Sequence, residues 1–382
     1  MSARHATKIL FLIPCGRFYP SGLRRVLGYR PLLERDGFDV VVRSYYSERA
    51  LRWLEFHPRP AVLRWAGLDE VYRRTLRGWS WRHAMNAMHR TIRDAPGFDL
   101  IFVQWVFPPA QLTDALVARN PNVIYDFDDA VFLYDAAASH LIRSARLVCT
   151  GSHFSIEYVR SLGREAVFLP TPVPLPELRV REDSHRPGNR PFRIGWLGGP
   201  STVTYLRLLE DPLSYMAAKC PGGISLVVVG SAACSDRIPE FPGVAVEVIP
   251  WLEERRFKEV IPTFDVGVMP LPDTERERGK CGLKALWYMT FGVPAVASPV
   301  GEATKIITHR VNGLLAETPE DWVECLRALM EQPELRRRLG VAGRRTVEER
   351  YSTEVCYRTL REEVLGRVLE SSPNQGGGVG TQ

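Results

Sequence analysis

The sequence of 382 residues lacks several features that would place it in particular classes of protein. It has no run of roughly 18 to 20 apolar residues, so a membrane-spanning segment is not expected. Its seven cysteines are scattered, with no C-x-x-C pair and no histidine cluster at zinc spacing. An odd number of dispersed cysteines favours reduced thiols and a cytosolic location over a disulfide framework.

The composition is that of a folded protein with more than one core. Hydrophobic residues make up 45% of the chain and charged residues 25%, and a chain of this length is more easily built from two domains than from one. The formal net charge is +6. This modest excess is compatible with an anionic small molecule, a membrane surface or nucleic acid, so charge by itself identifies no partner.

One segment carries most of the basic excess. Residues 49–93 contain ten arginines and only three acidic residues. They also contain four tryptophans, which are Trp53, Trp65, Trp79 and Trp81. Arginine and tryptophan on one surface are typical of proteins that dock on anionic head groups or on an acidic acceptor. The alternative is a set of ordinary surface helices whose tryptophans pack inward, and the sequence leaves both interpretations open.

Short apolar runs alternate with helical patterns along nearly the whole chain. The first run is KILFLIP at 8–14, and a comparable run, FRIGWLGG, begins at residue 192. Before the second run lies a proline-rich, charged segment at 174–191 that is typical of a linker. The pattern predicts two doubly wound, Rossmann-like α/β domains that face each other across a cleft. The low-complexity tail at 371–382 is expected to be disordered.

The stretch at 279–302 combines a helix start with two lysines. It reads GKCGLKALWYMTFGVPAVASPVGE and follows the apolar run FDVGVMPL at 264–271. This order predicts a strand, a loop, a helix that opens at 281–283, a second strand and a glycine turn. Lys280 and Lys284 lie beside the helix opening, where backbone N–H groups and the helix dipole also favour an anion. The stretch therefore suits a phosphate or diphosphate.

A second candidate site follows the first predicted strand. The loop and helix start after residue 14 carry glycine, serine and arginine, and in an open α/β sheet this loop lies at the carboxyl ends of the strands, where ligands bind. The polar and small residues of this segment are Arg17, Ser21, Gly22, Arg24 and Arg25.

Several blocks resemble the GT-B glycosyltransferases of family 4, which are retaining enzymes that use nucleotide sugars. The blocks are PSGLRRVLGYRPLLERDGFDV, VIYDFDDA, FLPTPV, IGWLGGPST, FDVGVMPL, KCGLKALWYMTFGVPAVASPVG and HRVNGLLAE. The resemblance implies an acceptor domain at 1–187, a donor domain at 188–350 and a final helix at 351–370 that crosses back to the first domain. It also implies transfer of a sugar from a nucleoside diphosphate to an acceptor with retained anomeric configuration.

The resemblance also implies roles for individual residues of the donor domain. The leaving group is a diphosphate, so the protein must stabilise negative charge that develops on its oxygens. The groups placed for this purpose are Lys280, Lys284 and the backbone amides of Gly198, Gly199 and Gly301. Glu302, directly after the glycine turn, is a candidate for a carboxylate near the sugar, and the alternative is an ordinary loop residue.

The chain departs from the family pattern at three places. The paired glutamates of many members correspond to Gly279 and Trp287, and an indole can stack on a donor but cannot accept a bidentate pair of hydrogen bonds from ribose hydroxyls. The basic residues that usually follow the IGWLGG-like strand are replaced at 200–202 by Pro-Ser-Thr. The histidine of the first domain corresponds to Gln104, which we assign to the acceptor side.

The motif Asp126-Phe127-Asp128-Asp129 allows two interpretations. An Asp-x-Asp at a strand end can hold a divalent cation and a diphosphate, as in the metal-dependent GT-A transferases. In a GT-B arrangement it lies in the first domain, where Asp128 or Asp129 can orient the acceptor hydroxyl or accept its proton. We favour the second role and expect a metal-independent enzyme without a cofactor. Capping of the following loop is the structural alternative.

Two other functions remain open beside sugar transfer. The chain could be a sugar-nucleotide epimerase or phosphorylase on the same scaffold, or a non-catalytic partner that has lost its ribose contacts. In each enzyme reading a nucleotide sugar binds, and the acceptor is a glycan, a lipid-linked sugar or a small molecule. Nucleic acid is not an expected partner. We expect a cytoplasmic protein with a peripheral membrane contact through 49–93 as an open alternative.

Overall fold

The computed structural model describes residues 6–16, 20–47, 69–176, 190–220, 223–250 and 252–370. These residues form two compact units. The second unit is Val173–Val355, and the first combines the described residues up to Pro172 with those from Cys356 onward. Most of the expected linker at 174–191 and the whole tail at 371–382 lie outside the described residues.

The first unit is built on a six-stranded parallel sheet with the order β2-β1-β3-β4-β5-β6. β1 shows why the sequence forms this sheet, because the five residues from Ile9 to Ile13 are all buried and the strand is covered on both faces. The strands are β1 (Lys8–Ile13), β2 (Asp39–Ser44), β3 (Leu100–Gln104), β4 (Val123–Phe127), β5 (Leu147–Thr150) and β6 (Ala166–Phe168).

Helices of the first unit cover both faces of this sheet. They are α1 (Pro20–Gly22), α2 (Arg30–Arg35), α3 (Asp69–Asp94), α4 (Ala110–Arg119), α5 (Ala136–Ser144) and α6 (His153–Ser161). A π-helical turn, Leu23–Leu27, continues directly from α1. α3 places Ala84 and Met88 in the core on one face. Ser152 begins α6, since its hydroxyl accepts a hydrogen bond from the N–H of Ser155.

The second unit repeats the architecture with a sheet of order β12-β11-β10-β7-β8-β9. Every pairing in this sheet is parallel. The strands are β7 (Phe192–Leu197), β8 (Ile224–Val229), β9 (Ala245–Ile249), β10 (Val266–Met269), β11 (Ala295–Ala297) and β12 (Leu314–Leu315). Two apolar clusters, one on each face, form its core.

The helices of the second unit include several that are short. They are α7 (Glu210–Lys219), α8 (Phe257–Val260), α9 (Glu275–Arg278), α10 (Leu283–Thr290), α11 (Ala303–Ile306), α12 (Pro319–Glu331) and α13 (Pro333–Arg350). Short 3-10 turns occur as well, at Val203–Leu209, Ala232–Arg237, Glu254–Arg256 and Ile261–Thr263. The first of these begins directly after Thr202, whose side chain makes no capping hydrogen bond within the described residues.

The last described residues belong to the first unit. α14 (Thr353–Thr359), a π-helical turn (Leu360–Gly366) and α15 (Arg367–Glu370) follow α13. Cys356, Tyr357 and Leu360 belong to the core of the first unit. The Tyr357 hydroxyl lies 2.9 Å from an Asp36 carboxylate oxygen and 3.1 Å from the carbonyl of Leu32. The first unit is therefore discontinuous in sequence.

The predicted fold class of two doubly wound parallel α/β units is confirmed. The stretch at 279–302 forms α10, β11 and a glycine turn in the predicted order, with one further short helix, α9, just before it. Across the described part of the chain, no helix has both the length and the apolar character needed to span a bilayer.

Candidate functional site

Lys284 is the second residue of α10, and its side chain reaches the carboxyl end of β7 in the second unit. Its ammonium group is 4.3 Å from the centroid of the Trp196 ring and donates a hydrogen bond to the Thr202 hydroxyl at 3.1 Å. A Cβ added to Gly198 would approach the Trp196 ring to 2.3 Å and the Lys284 nitrogen to 2.8 Å. Only glycine therefore fits between the tryptophan and the lysine, and a fixed cation lies against the loop after β7.

The N-terminus of α10 lies next to Lys284, directly after the loop that ends at Gly282. Gly282 is the N-cap residue, has a left-handed φ of 72°, and contributes no side-chain cap. A Cβ at this glycine would meet the Ile306 side chain at 2.5 Å, so backbone conformation and packing both require glycine. Gly282 thus has no side chain to cap the start of α10, where the positive end of the helix dipole favours an anion. Lys280, two residues earlier, is half-buried.

The glycine turn after β11 contacts this loop. Gly301 has a φ of 55°, and a Cβ there would lie 2.3 Å from the carbonyl oxygen of Arg278. Glu302 follows it and is buried. The structure thus places Gly301 and Glu302 beside the segment that contains Gly279, where the sequence comparison had found a missing carboxylate.

Glu277 is a buried carboxylate that sequence reasoning missed. It is only 3% exposed, and it accepts hydrogen bonds from the hydroxyls of Tyr205 and Thr274. Tyr205 lies in the 3-10 turn after β7, so this contact ties the Gly198 loop to the loop before α10. No local signal distinguishes Glu277 from Glu275 in the charged run TERER, because the difference arises from a residue 72 positions away.

Trp287 is not brought together with the Lys284 cluster. It is buried in the core of the second unit, where its ring meets Phe257 edge-on at 4.9 Å and stacks on Phe291 at 6.2 Å. The neighbouring Tyr288 is also in the core, and its hydroxyl accepts a hydrogen bond from the Leu197 N–H and donates one to the Val268 carbonyl. α10 therefore presents its middle to the core and its first turn to the candidate site.

In the first unit, Asp128 is held in place from two sides. The Ser21 hydroxyl donates to Oδ2 of Asp128 at 2.6 Å. Gly151 packs against the Asp128 backbone, so that a Cβ on this glycine would lie 2.8 Å from the Asp128 Cα. Asp128 is 5% exposed, and its Oδ1 has no hydrogen-bond partner in the described residues. Asp129 is half-buried, and its carbonyl accepts a hydrogen bond from the N–H of Val131.

Asp126 has a different role from Asp128. Its carboxylate forms a bidentate ion pair with Arg25, with an Nε to Oδ2 distance of 2.8 Å, and both side chains are fully buried. Arg25 also donates to the Leu169 carbonyl at 2.6 Å. Burial acts to lower the pKa of Arg25, but the Asp126 and Asp128 carboxylates outweigh it and raise this pKa above its usual value. The pair anchors the π-helical turn that follows Ser21 and Gly22.

This pairing argues against a metal at the Asp-x-Asp motif. Both oxygens of Asp126 are engaged by Arg25, so the two aspartates do not form an open ligand pair. Within the described ranges, no group of three or more His, Cys, Asp or Glu side chains is placed to hold a metal ion.

Gln104 lies at the end of β3, opposite Asp126 of β4. It is fully buried, and neither its amide nitrogen nor its amide oxygen has a hydrogen-bond partner in the part of the chain that the structure describes. A Cβ on Gly22 would lie 3.6 Å from the Gln104 oxygen. Arg24 is also buried, which lowers its pKa to about 9. Arg17 lies outside the described residues.

The basic segment at 49–93 is described only from residue 69 onward, and Trp53 and Trp65 lie outside that part. Trp79 and Trp81 of α3 are 47% and 50% exposed. These two tryptophans do not pack inward, in contrast to the structural alternative for this segment.

The same fold occurs in solved glycosyltransferases. A glycosyltransferase from Rickettsia africae aligns with a TM-score of 0.67 at 11% identity, over 96% of this chain and 100% of that one. The lipopolysaccharide outer core galactosyltransferase WaaB aligns with a TM-score of 0.62 at 12% identity, over 94% and 100% of the chains. Anabaena Alr3699/HepE in complex with UDP-glucose gives 0.60 at 15% identity, over 94% and 99%. This architecture is the GT-B fold.

Sequence comparison adds a family. Residues 193–332 match the family described as Glycosyl transferases group 1. The second unit thus resembles the glycosyl transferases group 1 family over these residues, and the resemblance found in the sequence is confirmed. A Xenopus tropicalis protein, glycosyltransferase 1 domain-containing protein 1, is 36% identical over 75 residues. That alignment covers 19% of this chain and 22% of the Xenopus protein.

Proposed function

We propose that this protein transfers a sugar from a nucleoside diphosphate to an acceptor hydroxyl with retention of anomeric configuration. One observation carries the proposal. Lys284 is held over Trp196 by Thr202, against a glycine that has no room for a side chain, beside the uncapped N-terminus of α10.

The chemistry of this cluster suits a diphosphate leaving group. Charge that develops on phosphate oxygens is best stabilised by donors already in place, since they need no reorganisation during the reaction. Lys284, Lys280, the first N–H groups of α10 and the loop amides of Gly198 and Gly199 supply such donors. The related structure of HepE, solved with UDP-glucose, supports a nucleotide sugar as the donor.

We assign the acceptor side to the first unit. Asp128 has one carboxylate oxygen fixed by Ser21 and the other without a partner among the described residues, which is the arrangement that a proton acceptor needs. Asp129 is the neighbouring candidate for the same role. In the second unit, Glu302 is our candidate for the carboxylate near the donor sugar, because its segment touches that of Gly279.

We expect the reaction to be independent of divalent metal. The reason is that Arg25 occupies both oxygens of Asp126, and the Lys284 ammonium group can supply positive charge that a metal would otherwise provide. A chelator should leave turnover unchanged. Strict dependence on added Mg²⁺ or Mn²⁺ would return the Asp-x-Asp motif to a metal-binding role.

Lys284→Ala tests the donor site. The substitution should weaken UDP affinity by about tenfold, the loss expected for one charge-assisted contact to phosphate. Isothermal calorimetry with UDP measures it, and the same panel should include ADP and GDP to identify the base. Lys280→Ala should also weaken binding with the fold intact.

Lys219→Ala is the matched control, because Lys219 also lies over an aromatic ring, that of Tyr215, but on the exposed surface of α7. Equal losses in the two variants, or no binding of any nucleoside diphosphate to the native protein, would remove the donor site. If binding occurs, proton NMR of the product gives the anomeric configuration.

A non-catalytic GT-B protein is the second candidate. It is favoured by Trp287, which fills the core at the position of a family glutamate and presents no carboxylate. Tight UDP binding without hydrolysis or transfer of any sugar would support this candidate over the enzyme. Sugar-nucleotide exchange without an acceptor would instead indicate an epimerase or phosphorylase.

We further propose a peripheral contact between α3 and an anionic membrane surface. The support is the exposure of Trp79 and Trp81 within a segment whose sequence is strongly basic.

A further inference from the structure

We propose that Glu277 is a positioning residue of the donor site, which holds both candidate phosphate-binding lysines in place without touching the substrate itself. This role rests on the proposed function, since it assumes that Lys280 and Lys284 meet a diphosphate. The contacts that support it lie within the second unit.

Glu277 differs from the charged residues beside it because it is buried. Its side chain is 3% exposed, whereas Arg276 and Arg278 lie on the surface. The hydroxyl of Tyr205 donates to its Oε1 and that of Thr274 to its Oε2, and the Arg276 guanidinium is 3.8 Å from Oε1. Burying a carboxylate is costly even when it is paired, and an apolar side chain would often cost less. The carboxylate is therefore better explained by the group that it holds than by the stability of the fold.

The Tyr205 hydroxyl connects Glu277 to Lys284. Tyr205 belongs to the 3-10 turn that follows Thr202, and its backbone N–H donates to the Thr202 carbonyl at 3.1 Å. The Thr202 hydroxyl accepts the hydrogen bond from the Lys284 ammonium group at 3.1 Å. A shift of Tyr205 would therefore move the acceptor that fixes Lys284.

The backbone of Glu277 connects it to Lys280. The Glu277 carbonyl accepts a hydrogen bond from the Lys280 N–H at 3.2 Å, so the end of α9 determines where the following loop begins. One buried carboxylate thus joins the turn after β7 to the loop before α10. These two segments carry the groups that we assign to the diphosphate.

Tyr205→Phe removes the contact with the smallest change in volume. We expect UDP affinity to fall by about three- to tenfold, the usual effect of losing one hydrogen bond, while uridine affinity stays unchanged. Isothermal calorimetry with UDP and with uridine measures both. Unchanged UDP affinity, or an equal loss for uridine, would overturn the positioning role, because a purely structural contact has no preference for the diphosphate.

Tyr357→Phe is the matched control. The Tyr357 hydroxyl also donates to a carboxylate, that of Asp36, but in the first unit. Both variants lose a tyrosine–carboxylate hydrogen bond, so both should lower the melting temperature, and only Tyr205→Phe should lower UDP affinity. An equal loss of UDP affinity in the two variants would attribute the effect to general destabilisation and overturn the proposal.

Rescue by an isosteric side chain provides a second test. In Glu277→Gln the amide oxygen can accept from Tyr205, and the amide nitrogen can donate to the Thr274 hydroxyl. Glutamine should therefore recover most of the UDP affinity that Glu277→Leu loses. An equal loss in the two variants would contradict positioning through hydrogen bonds. If Glu277→Leu does not fold, the comparison of Tyr205→Phe with its control decides the question.

A double-mutant cycle tests whether Tyr205 acts through Lys284. In the Lys284→Ala background, Tyr205→Phe should cause little further loss of UDP affinity, because the group that it positions is gone. Losses that add fully would show that Tyr205 acts independently of Lys284 and would overturn the connection.

Acetylation of the full chain by acetic anhydride, followed by mass spectrometry, reports on Lys284 without any nucleotide. We expect Lys284 to react about threefold faster in Tyr205→Phe, since its anchor at Thr202 is loosened, while Lys219 on the surface of α7 reacts as in the native chain. An unchanged rate at Lys284, or an equal rise at Lys219, would overturn the inference. The proposed function fails separately, through absence of UDP binding to the native protein, which the labelling does not require.

Discussion

Gly198 and Gly199 are adjacent but have different surroundings. An added Cβ at Gly198 would collide with the Trp196 ring, whereas at Gly199 it would meet nothing within 4 Å. The Trp196 ring is also the surface on which Lys284 rests. The requirement for glycine at 198 therefore comes from the residues that form the candidate donor site.

We predict that Gly198→Ala lowers UDP affinity and stability, while Gly199→Ala leaves stability nearly unchanged. The alanine methyl group at 198 displaces either the indole or the ammonium group, and overpacking of this kind costs about 1 to 3 kcal/mol. Calorimetry with UDP and thermal unfolding measure the two effects. Identical behaviour of the two variants would show that the loop relaxes freely and that Lys284 is not fixed by Trp196.

Some residues selected from separate local patterns of the sequence lie close together in the structure. Lys284 and Gly198 were selected from local patterns, and the structure brings them into contact. Trp287 was considered as a donor contact, but its ring packs against Phe257 and Phe291 in the core of the second unit. Asp126 and Asp128 look alike in the sequence, but only Asp126 meets the buried Arg25.

At the scale of the element, α12 shows how a local pattern begins a helix. Thr318 accepts a hydrogen bond from the N–H of Asp321, and the Asp321 carboxylate accepts one in return from the N–H of Thr318. Pro319 follows at the first helical position. This reciprocal cap is readable from the sequence because its partners are three residues apart.

We predict that Thr318→Ala lowers the free energy of unfolding by about 1 kcal/mol, the usual effect of losing an N-cap side chain. Chemical denaturation measures it. Ser201→Ala is the control, since Ser201 is exposed and precedes a turn whose N-cap is Thr202. A loss in Thr318→Ala no larger than in this control would mean that the cap is not stabilising.

The same cap has a pH dependence of defined sign. Hydrogen bonds from the N–H groups of Thr318 and Glu317 hold the pKa of Asp321 below its usual value. The unfolded chain therefore binds the proton more tightly, and the contribution of this carboxylate is present at neutral pH and lost as pH falls below about 4. Asp321→Asn should show a shallower loss of stability in this acid range than the native chain.

At the scale of the whole molecule, the first unit combines a binding edge with a long basic helix. α3 has 26 residues and so a length of about 39 Å, more than twice the roughly 17 Å of the five-residue strand that follows it. Ala84, Ala87 and Met88 of this helix are fully buried, whereas Trp79 and Trp81 are about half exposed.

We predict salt-sensitive binding to anionic vesicles through the part of α3 that carries Trp79 and Trp81. Replacing both Trp79 and Trp81 by alanine should reduce co-sedimentation with phosphatidylserine vesicles, and raising the salt concentration should weaken binding of the native chain. Tyr215→Ala is the control, because Tyr215 is an exposed aromatic of the second unit. Complete recovery of the native protein in the supernatant at low salt would exclude the contact.

The fold was largely predictable because its signals are local. A strand covered on both faces needs a continuous apolar run, and a parallel neighbour needs a helical crossover, so β1, β7 and their successors are visible in the sequence. The two segments of the first unit were joined only through the family resemblance. The sequence around Leu360 contains no local pattern indicating that it packs in the core with residues such as Tyr29 and Leu33, more than 300 positions earlier.

The sequence by itself determined the two α/β units, the resemblance of the second unit to a glycosyltransferase family and the glycine-rich helix start beside Lys284. Each of these depends on residues within a few positions of one another, where propensity and spacing act directly. Only the tertiary structure decided that Glu277 is buried against Tyr205, that Asp126 pairs with Arg25, and that the Gln104 amide has no hydrogen-bond partner among the described residues. Those outcomes depend on which distant segments of the chain pack together. Burial at each contact removes water from the polar side chains, so the neighbouring segments decide whether a side chain is paired within the protein.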